Sequence, residues 1–361
     1  MRTKIHSIST FTLVALLSFI SVGQASEKPD PRIDNMLALD RNGDGALDED
    51  EAPAGMFSLM DTNKDGLVKR SELVSLLTRS SRPFRWVNPP DHTQAHHRLT
   101  HATFLSPSMN LSVGYNIYLP PGYDQSSDRT TRYPVIYYLH GGRPGNESRS
   151  VGLVKYINNL VEAGTIRPVI FVWVNGGKVS HYDVGEAKGE HTFVNELIPH
   201  IDRTYRTIAH RGGRALQGFS QGGRGTTRIM FKYPELFSSA APGGPGYATE
   251  RQVFENGGIE KDTRIPNAAT LHFGKGNDAY SRAWDFAKQP PLEPPLKIAI
   301  WVGNKGFNYE ATLEYLGFLF GLTIPVQRIV AAGIDHNPIA FYEAKGRELL
   351  EFHNRHWFEV E

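Results

Sequence analysis

Cysteine is absent from all 361 residues. The fold therefore has no disulfides to lean on, and its stability must come from core packing and from any metal it binds. An excess of charge is lacking too: 39 basic against 38 acidic residues give a formal net charge of +1. Nothing in that balance points to nucleic acid or to an anionic membrane surface. Long hydrophobic runs are also missing. The one sustained run, Phe11 to Val22, is shorter than the roughly 20 residues a bilayer-spanning helix needs. With 40% apolar and 21% charged residues, the composition is that of a globular chain with room for one large domain and a small one.

The first 25 residues stand apart. Arg2 and Lys4 precede the short apolar run, and Gly23-Gln24-Ala25 follows it, the pattern of a secretory signal peptide. A membrane anchor is the competing reading, and the length of the run speaks against it. A secreted or periplasmic protein without stable membrane insertion is expected, with a mature chain near −1 in charge because the segment holds two basic and no acidic residues.

Residues 26–78 carry one pattern twice. Asp40, Asn42, Asp44, Asp48 and Glu51 place side-chain oxygens at positions 1, 3, 5, 9 and 12 of a loop with Gly45 at position 6. Asp61, Asn63, Asp65 and Glu72 repeat this around Gly66, with Lys69 at position 9. A large hard cation needs six to eight oxygens, a sharp turn and a bidentate carboxylate closing the loop. Ala46 and Leu67 would add backbone carbonyls, while Leu47 and Val68 would pack across the pair. Both loops resemble the EF-hand family, which implies two structural Ca2+ sites. A solvated acidic surface loop is the alternative, but it would not keep the ligand phase twice. The short spacer predicts one helix with Met56, Phe57 and Met60 serving both loops, and Lys69 should weaken the second site.

Residues 79–102 turn to Arg, Ser, Pro and His and read as a linker. His92, His96, His97 and His101 cluster there; a metal set is conceivable, and simple exposure is the plainer reading.

From residue 103 to 361 strand-like runs alternate with helix-like ones. Leu111–Leu119 alternates as a half-buried strand. Tyr133–Leu139, Pro168–Val174, Gly213–Gln217, Leu296–Val302 and Ile324–Val330 read as buried strands. Such a series predicts an α/β fold with a mostly parallel sheet flanked by helices, its ligands gathered at the carboxyl ends of the strands. Three polar features fall there: His140-Gly141-Gly142, the G-x-S-x-G phrase Gly218-Phe219-Ser220-Gln221-Gly222, and His336. A serine on a tight strand-to-helix turn, with a histidine later in the chain, suits nucleophilic acyl chemistry. The backbone N–H groups of Gln221 and Gly142 would then hold the oxyanion. His140 is expected to shape its turn rather than act as the base.

These residues resemble the α/β-hydrolase esterases of the esterase D and feruloyl esterase group, related to enterochelin esterases and mycolyltransferases. The resemblance rests on Tyr115–Tyr123, Tyr137–Gly141, Glu196–Asp202, Gly218–Gly223 and Ala332–His336, in that order. It implies Ser220 as nucleophile, His336 as base, and an acylated carbohydrate bearing feruloyl or acetyl esters as substrate, with no cofactor for catalysis. One departure is serious. The family's acid sits in a Gly-x-x-Asp-Phe phrase, and here Gly303-Asn304-Lys305-Gly306-Phe307 puts glycine in the aspartate's place. Glu310 is the favoured acid, reaching back with its longer side chain, with an exposed residue at a helix start as the competing reading. Asn308 could orient the ring without charge, and Asp335 is expected to point away. A non-catalytic binding protein with a decayed triad and an acyltransferase are the alternatives to a serine esterase.

Overall fold

The computed structural model describes residues 31–52, 57–81, 84–91, 96–124, 129–255, 257, 259–261 and 272–359. The expected signal segment, Met56 and His92 lie outside them.

The front module runs α1 (Pro31–Leu37), β1 (Ala46–Leu47), α2 (Phe57–Met60), β2 (Val68–Lys69) and α3 (Arg70–Ser81). β1 and β2 pair antiparallel, with Leu47 opposite Val68. Both side chains are buried with Ile33, Met60 and Leu73 in a small core of their own. The interleaved acidic residues are left outside it, so one short apolar seam fixes two loops side by side.

The second unit begins at β3 (Leu99–Ser106), inside the stretch expected to be linker, and continues through β4 (Leu111–Tyr118), β5 (Val135–Leu139), α4 (Val154–Glu162) and β6 (Ile170–Val174). A small hairpin, β7 (Asp183–Val184) with β8 (Ala187–Lys188), leads into α5 (Gly189–His191), a π-helical turn over Thr192–Leu197, and α6 (Ile198–Thr204). Then come β9 (Arg214–Phe219), α7 (Gln221–Lys232), β10 (Ser239–Gly243), α8 (Glu250–Glu255) and the antiparallel pair β11 (Ile259–Lys261) and β12 (His272–Lys275). The chain closes with α9 (Ala279–Ala287), β13 (Lys297–Gly303), α10 (Tyr309–Gly321), β14 (Gln327–Ala331) and α11 (Pro338–Asn354).

Eight strands form one sheet in the order β14-β13-β10-β9-β5-β6-β4-β3. The six from β14 to β6 are parallel, and the β4–β3 hairpin joins antiparallel at one edge. One face packs under α6 and α7 with Val135, Tyr137, Leu216 and Ile300; the other buries Ile136, Tyr138, Ala215 and Ala299 against α4 and α11. Burial on both faces explains why these strands read as unbroken apolar runs. β10 escapes that rule. Its Ser-Ala-Ala-Pro-Gly sequence has no strand signature, yet it lies between β9 and β13. Its pairing with β13 skips Ala241 and Pro242, where proline has no N–H to give.

Candidate active site

Ser220 links β9 to α7 with φ +58° and ψ −116°, a left-handed conformation that a serine does not adopt without cause. Its N–H donates to the Gly243 carbonyl at 2.8 Å. The flanking glycines are required by close approach. A Cβ on Gly218 would come within 2.4 Å of the Gly222 oxygen, and one on Gly222 within 1.9 Å of the Leu139 oxygen. The elbow is thereby pressed against the end of β5, and the Gln221 N–H opens the first turn of a twelve-residue helix.

The oxyanion turn meets the same point. A Cβ on Gly141 would lie 3.2 Å from Ser220 Cβ, and Gly142 takes φ +79°. Ser180 Oγ donates to the Gly142 carbonyl at 2.5 Å, fixing the peptide. His140 is wholly buried: Nε2 accepts the Gly176 N–H at 3.0 Å and Nδ1 faces the Gly141 carbonyl at 3.1 Å. Burial, helped by the neighbouring His181, holds its pKa well below the ordinary histidine value, so it is a neutral turn-former as expected. His181 is held down to about 3 by burial, against its bond to the His140 carbonyl, so it adds no charge here. Arg143, which sequence reasoning passed over, donates to the Gln221 side-chain oxygen at 2.8 Å and lies over the Phe273 ring at 4.6 Å.

His336 follows β14, where a base is needed. Its ring stands 4.5 Å from the rings of both Phe219 and Phe307, and Phe219 stacks on the buried Trp301. An aromatic column thus carries the imidazole's position into the core. A Cβ on Gly244, after β10, would be 3.3 Å from His336 Cε1 and 3.0 Å from the Phe219 ring. Ser220, the Gly141-Gly142 turn and the His336 loop therefore share one end of the sheet.

The position where the resemblance expects an acid is occupied differently. Gly306 is buried, and a Cβ there would lie 3.0 Å from Asn308 Oδ1 and 3.5 Å from the backbone nitrogen of His336. Position 306 therefore faces the histidine turn, as the family's acid would. Asn308 is buried; its Nδ2 donates to the Gly244 carbonyl, while Oδ1 finds no hydrogen-bond donor among the described residues. Glu310 is exposed in the first turn of α10. Asp335 is half-buried; burial pushes its carboxyl up, with Glu49 adding to the rise and Lys305 opposing it. Lys305 also approaches Glu49 at 3.8 Å, so the first acidic loop lies beside the turn that carries Gly306.

Both acidic loops are curled around their own carboxylates. Glu51 accepts the N–H groups of Arg41 and Asn42, and Glu72 those of Thr62 and Asn63. Asp40 and Asp61 gather the turn amides that include Gly45 and Gly66. Asp61, Asp65 and Glu72 bring ligand oxygens within 4.8 Å of one another. That inward donor set fits a hard divalent cation. Lys69 Nζ binds Asp65 at 2.5 Å, so the amine sits on a ligand the ion would use. The described linker histidines do not converge: His101 pairs with Glu147 at 3.1 Å, whereas His96 stacks on His97.

Comparison with known proteins supports an esterase. The Esterase family's sequence model matches residues 106–314. Esterase MT1326 of Mycobacterium tuberculosis is 32% identical over 262 residues, covering 68% of this chain and 55% of its own length. The chain thus spans about half the length of the curated relatives it matches. An endo-1,4-beta-xylanase/feruloyl esterase of Xylanibacter ruminicola is 34% identical over 154 residues, 39% of this chain and 21% of that protein. A ferulic acid esterase structure superimposes with a TM-score of 0.59 at 20% identity, over 72% of this chain and 98% of its own. An S-formylglutathione hydrolase from Staphylococcus aureus gives 0.54 at 18% identity, over 72% and 99%. At those identities the structures speak for the fold alone. The sequence match extends over more than half of the 361 residues and includes β9, the Ser220 elbow and the oxyanion turn. This chain belongs to the Esterase family of α/β-hydrolase proteins.

Proposed function

We propose that the protein is an exported serine esterase that cleaves carboxylic esters of acylated carbohydrates through an acyl-enzyme. The observation that carries the reading is the strained Ser220 elbow, placed against an oxyanion turn and beside a histidine loop. In this reading Ser220 Oγ attacks the ester carbonyl as His336 takes its proton, and the Gln221 and Gly142 N–H groups stabilise the oxyanion. The imidazolium returns the proton to the leaving alcohol. Water then repeats the sequence in reverse and frees the acid. The carbohydrate is suggested by the feruloyl esterase named among the relatives. Buried Asn308 is better placed than exposed Glu310 to orient the imidazole. Acyl transfer to a sugar would use the same residues with a different acceptor.

The test is hydrolysis of methyl ferulate and p-nitrophenyl acetate, together with labelling by a fluorophosphonate. Turnover and a covalent adduct on the Ser220 peptide are expected. Background turnover with no adduct would leave the binding-protein reading in its place. Glu310→Gln should stay within about threefold of wild type, as surface changes away from the chemistry do; a large loss there would restore Glu310 as the acid.

We also propose that the two acidic loops hold Ca2+, with Asp40, Asn42, Asp44, Ala46, Asp48 and Glu51 around one ion and Asp61, Asn63, Asp65, Leu67 and Glu72 around the other. The ions would neutralise the clustered carboxylates and stiffen the front module. Calcium should raise the melting temperature of the full chain by several degrees, because a ligand at about 100 times its Kd adds about 2.7 kcal/mol to the folded state. Calorimetry should resolve a weaker second site, and Lys69→Ser should tighten it by removing the amine from Asp65. No heat with millimolar calcium would refute the assignment.

A further inference from the structure

Trp86 and Phe84 come from the stretch read as linker, and the fold does not leave them loose. Gly114 N–H donates to the Trp86 carbonyl at 2.7 Å, and Asn175 Nδ2 reaches the same oxygen at 3.1 Å. Asn88 N–H binds the fully buried Glu147 carboxylate at 2.5 Å. The indole tip lies over Gly177, where a Cβ would come within 2.6 Å of it. The two rings pack edge to face at 5.0 Å and form one wall of an open cleft of about 530 Å3. Met109, Lys178, Glu186 and Lys188 are among the other residues that line it.

The cleft stands on the catalytic rim of the sheet. Tyr115 of β4 pairs with Val174, the last residue of β6, so the antiparallel β3–β4 turn that carries Ser108 and Met109 projects beyond the carboxyl end of β6. That turn is anchored: Ser106 Oγ and Ser108 N–H both donate to the Glu196 carboxylate, and Lys188 Nζ donates to the Ser108 carbonyl at 3.2 Å. The opposite side is the 175–182 loop, which also supports the oxyanion turn through Gly176 N–H to His140 and Ser180 Oγ to Gly142. From β9, which leads into Ser220, to β4 there are three strand spacings, on the order of 14 Å.

We infer that this cleft is a subsite for a neutral oligosaccharide chain whose acyl group is held at Ser220. The lining supports that ligand class. Aromatic side chains present apolar surface to the C–H faces of sugar rings. Two amines and one carboxylate in the lining serve hydroxyl groups as donors and acceptors without selecting one charge. The volume falls within the range of small-ligand sites. The separation from Ser220 suits an extended chain better than a free monosaccharide ester. As a substrate subsite the cleft rests on the esterase reading; as a sugar-binding surface it does not.

The experiment has two arms. Full-length Ser220→Ala protein is titrated with unsubstituted xylohexaose and cellohexaose, followed by tryptophan fluorescence and calorimetry. Saturable binding to at least one is expected, weakened at least tenfold by Trp86→Ala. Because the indole packs on Gly177, the exposed pair Lys178→Ala/Glu186→Ala is made alongside and should weaken binding severalfold in a protein with an unchanged melting curve. In the second arm, wild type and both variants are compared on a feruloylated xylo-oligosaccharide and on methyl ferulate. The ratio of the two kcat/KM values should fall at least tenfold in Trp86→Ala, mainly through KM on the oligosaccharide ester. Absence of saturable binding to either hexasaccharide, or an equal loss on both esters, overturns the subsite. Saturable binding without turnover of any ester supports the sugar surface and removes the esterase reading instead.

Discussion

Ser220→Ala is expected to lower kcat/KM on methyl ferulate by about three orders of magnitude. The size follows from the proposed reading, in which the amide of Asn308 rather than an aspartate at position 306 orients His336. Loss of a complete triad's serine costs about a millionfold, and loss of its acid alone about ten-thousandfold. A pair with no orienting group would therefore be worth about a hundredfold. Asn308 should lift that figure. Its Nδ2 is committed to the Gly244 carbonyl, so the end left toward position 306 is an oxygen. An oxygen can accept from an imidazole N–H and keep the useful tautomer, although it cannot balance the imidazolium charge. Alanine retains the Cβ at φ +58°, so backbone strain and melting temperature should stay close to wild type. The loss can then be assigned to chemistry. It is checked by steady-state kinetics on protein made in a host that lacks esterase background, and a fall of less than tenfold would mean that Ser220 is not the nucleophile.

How far the sequence reached depended on whether each signal was local. The elbow was legible because its glycines are dictated by contacts within a few residues, at Gly218 against Gly222. The parallel strands were legible because burial on both faces leaves runs such as Val135–Leu139 wholly apolar. Paired acidic loops announce themselves through ligand spacing, and the seam of Leu47 on Val68 matches the expectation. β10 was illegible because a strand pressed between two neighbours beneath Trp301 must be small, and small residues carry no periodic signal; a Cβ on Gly243 would come within 2.0 Å of that indole. The docking of Phe84 and Trp86 within the stretch read as linker was illegible for another reason. Their anchors, Gly114, Glu147 and Asn175, are distant in sequence, and only the aromatic pair within a polar stretch hinted at docking. Which of Asn308 and Glu310 is buried is a tertiary fact that their spacing from Gly306 could not supply.

Gly306→Asp should therefore be a gain of function, with kcat/KM on simple esters rising about ten- to a hundredfold. The backbone permits the change, since Gly306 lies outside the left-handed region that would strain an aspartate. Space is tight but workable. The new Cβ would meet Asn308 Oδ1 at 3.0 Å and the Gly303 carbonyl at 3.3 Å, so the amide has to give by a few tenths of an ångström. It also has to turn, because two oxygens would otherwise face each other. Turning offers Nδ2 to the carboxylate and sacrifices the bond to Gly244, which is why the gain should fall short of the full ten-thousandfold that an acid is worth. The pH profile supplies the sign. A carboxylate beside His336 favours the imidazolium and raises its pKa, and the base works only when deprotonated. The low-pH limb of kcat/KM should accordingly move to higher pH by about one unit, with the gain greatest above it. Gly306→Ala fills the same space without charge and should give neither the gain nor the shift. If folded Gly306→Asp is no faster than wild type and its profile does not move, His336 already has a carboxylate partner, and the geometry around Asn308 has another purpose.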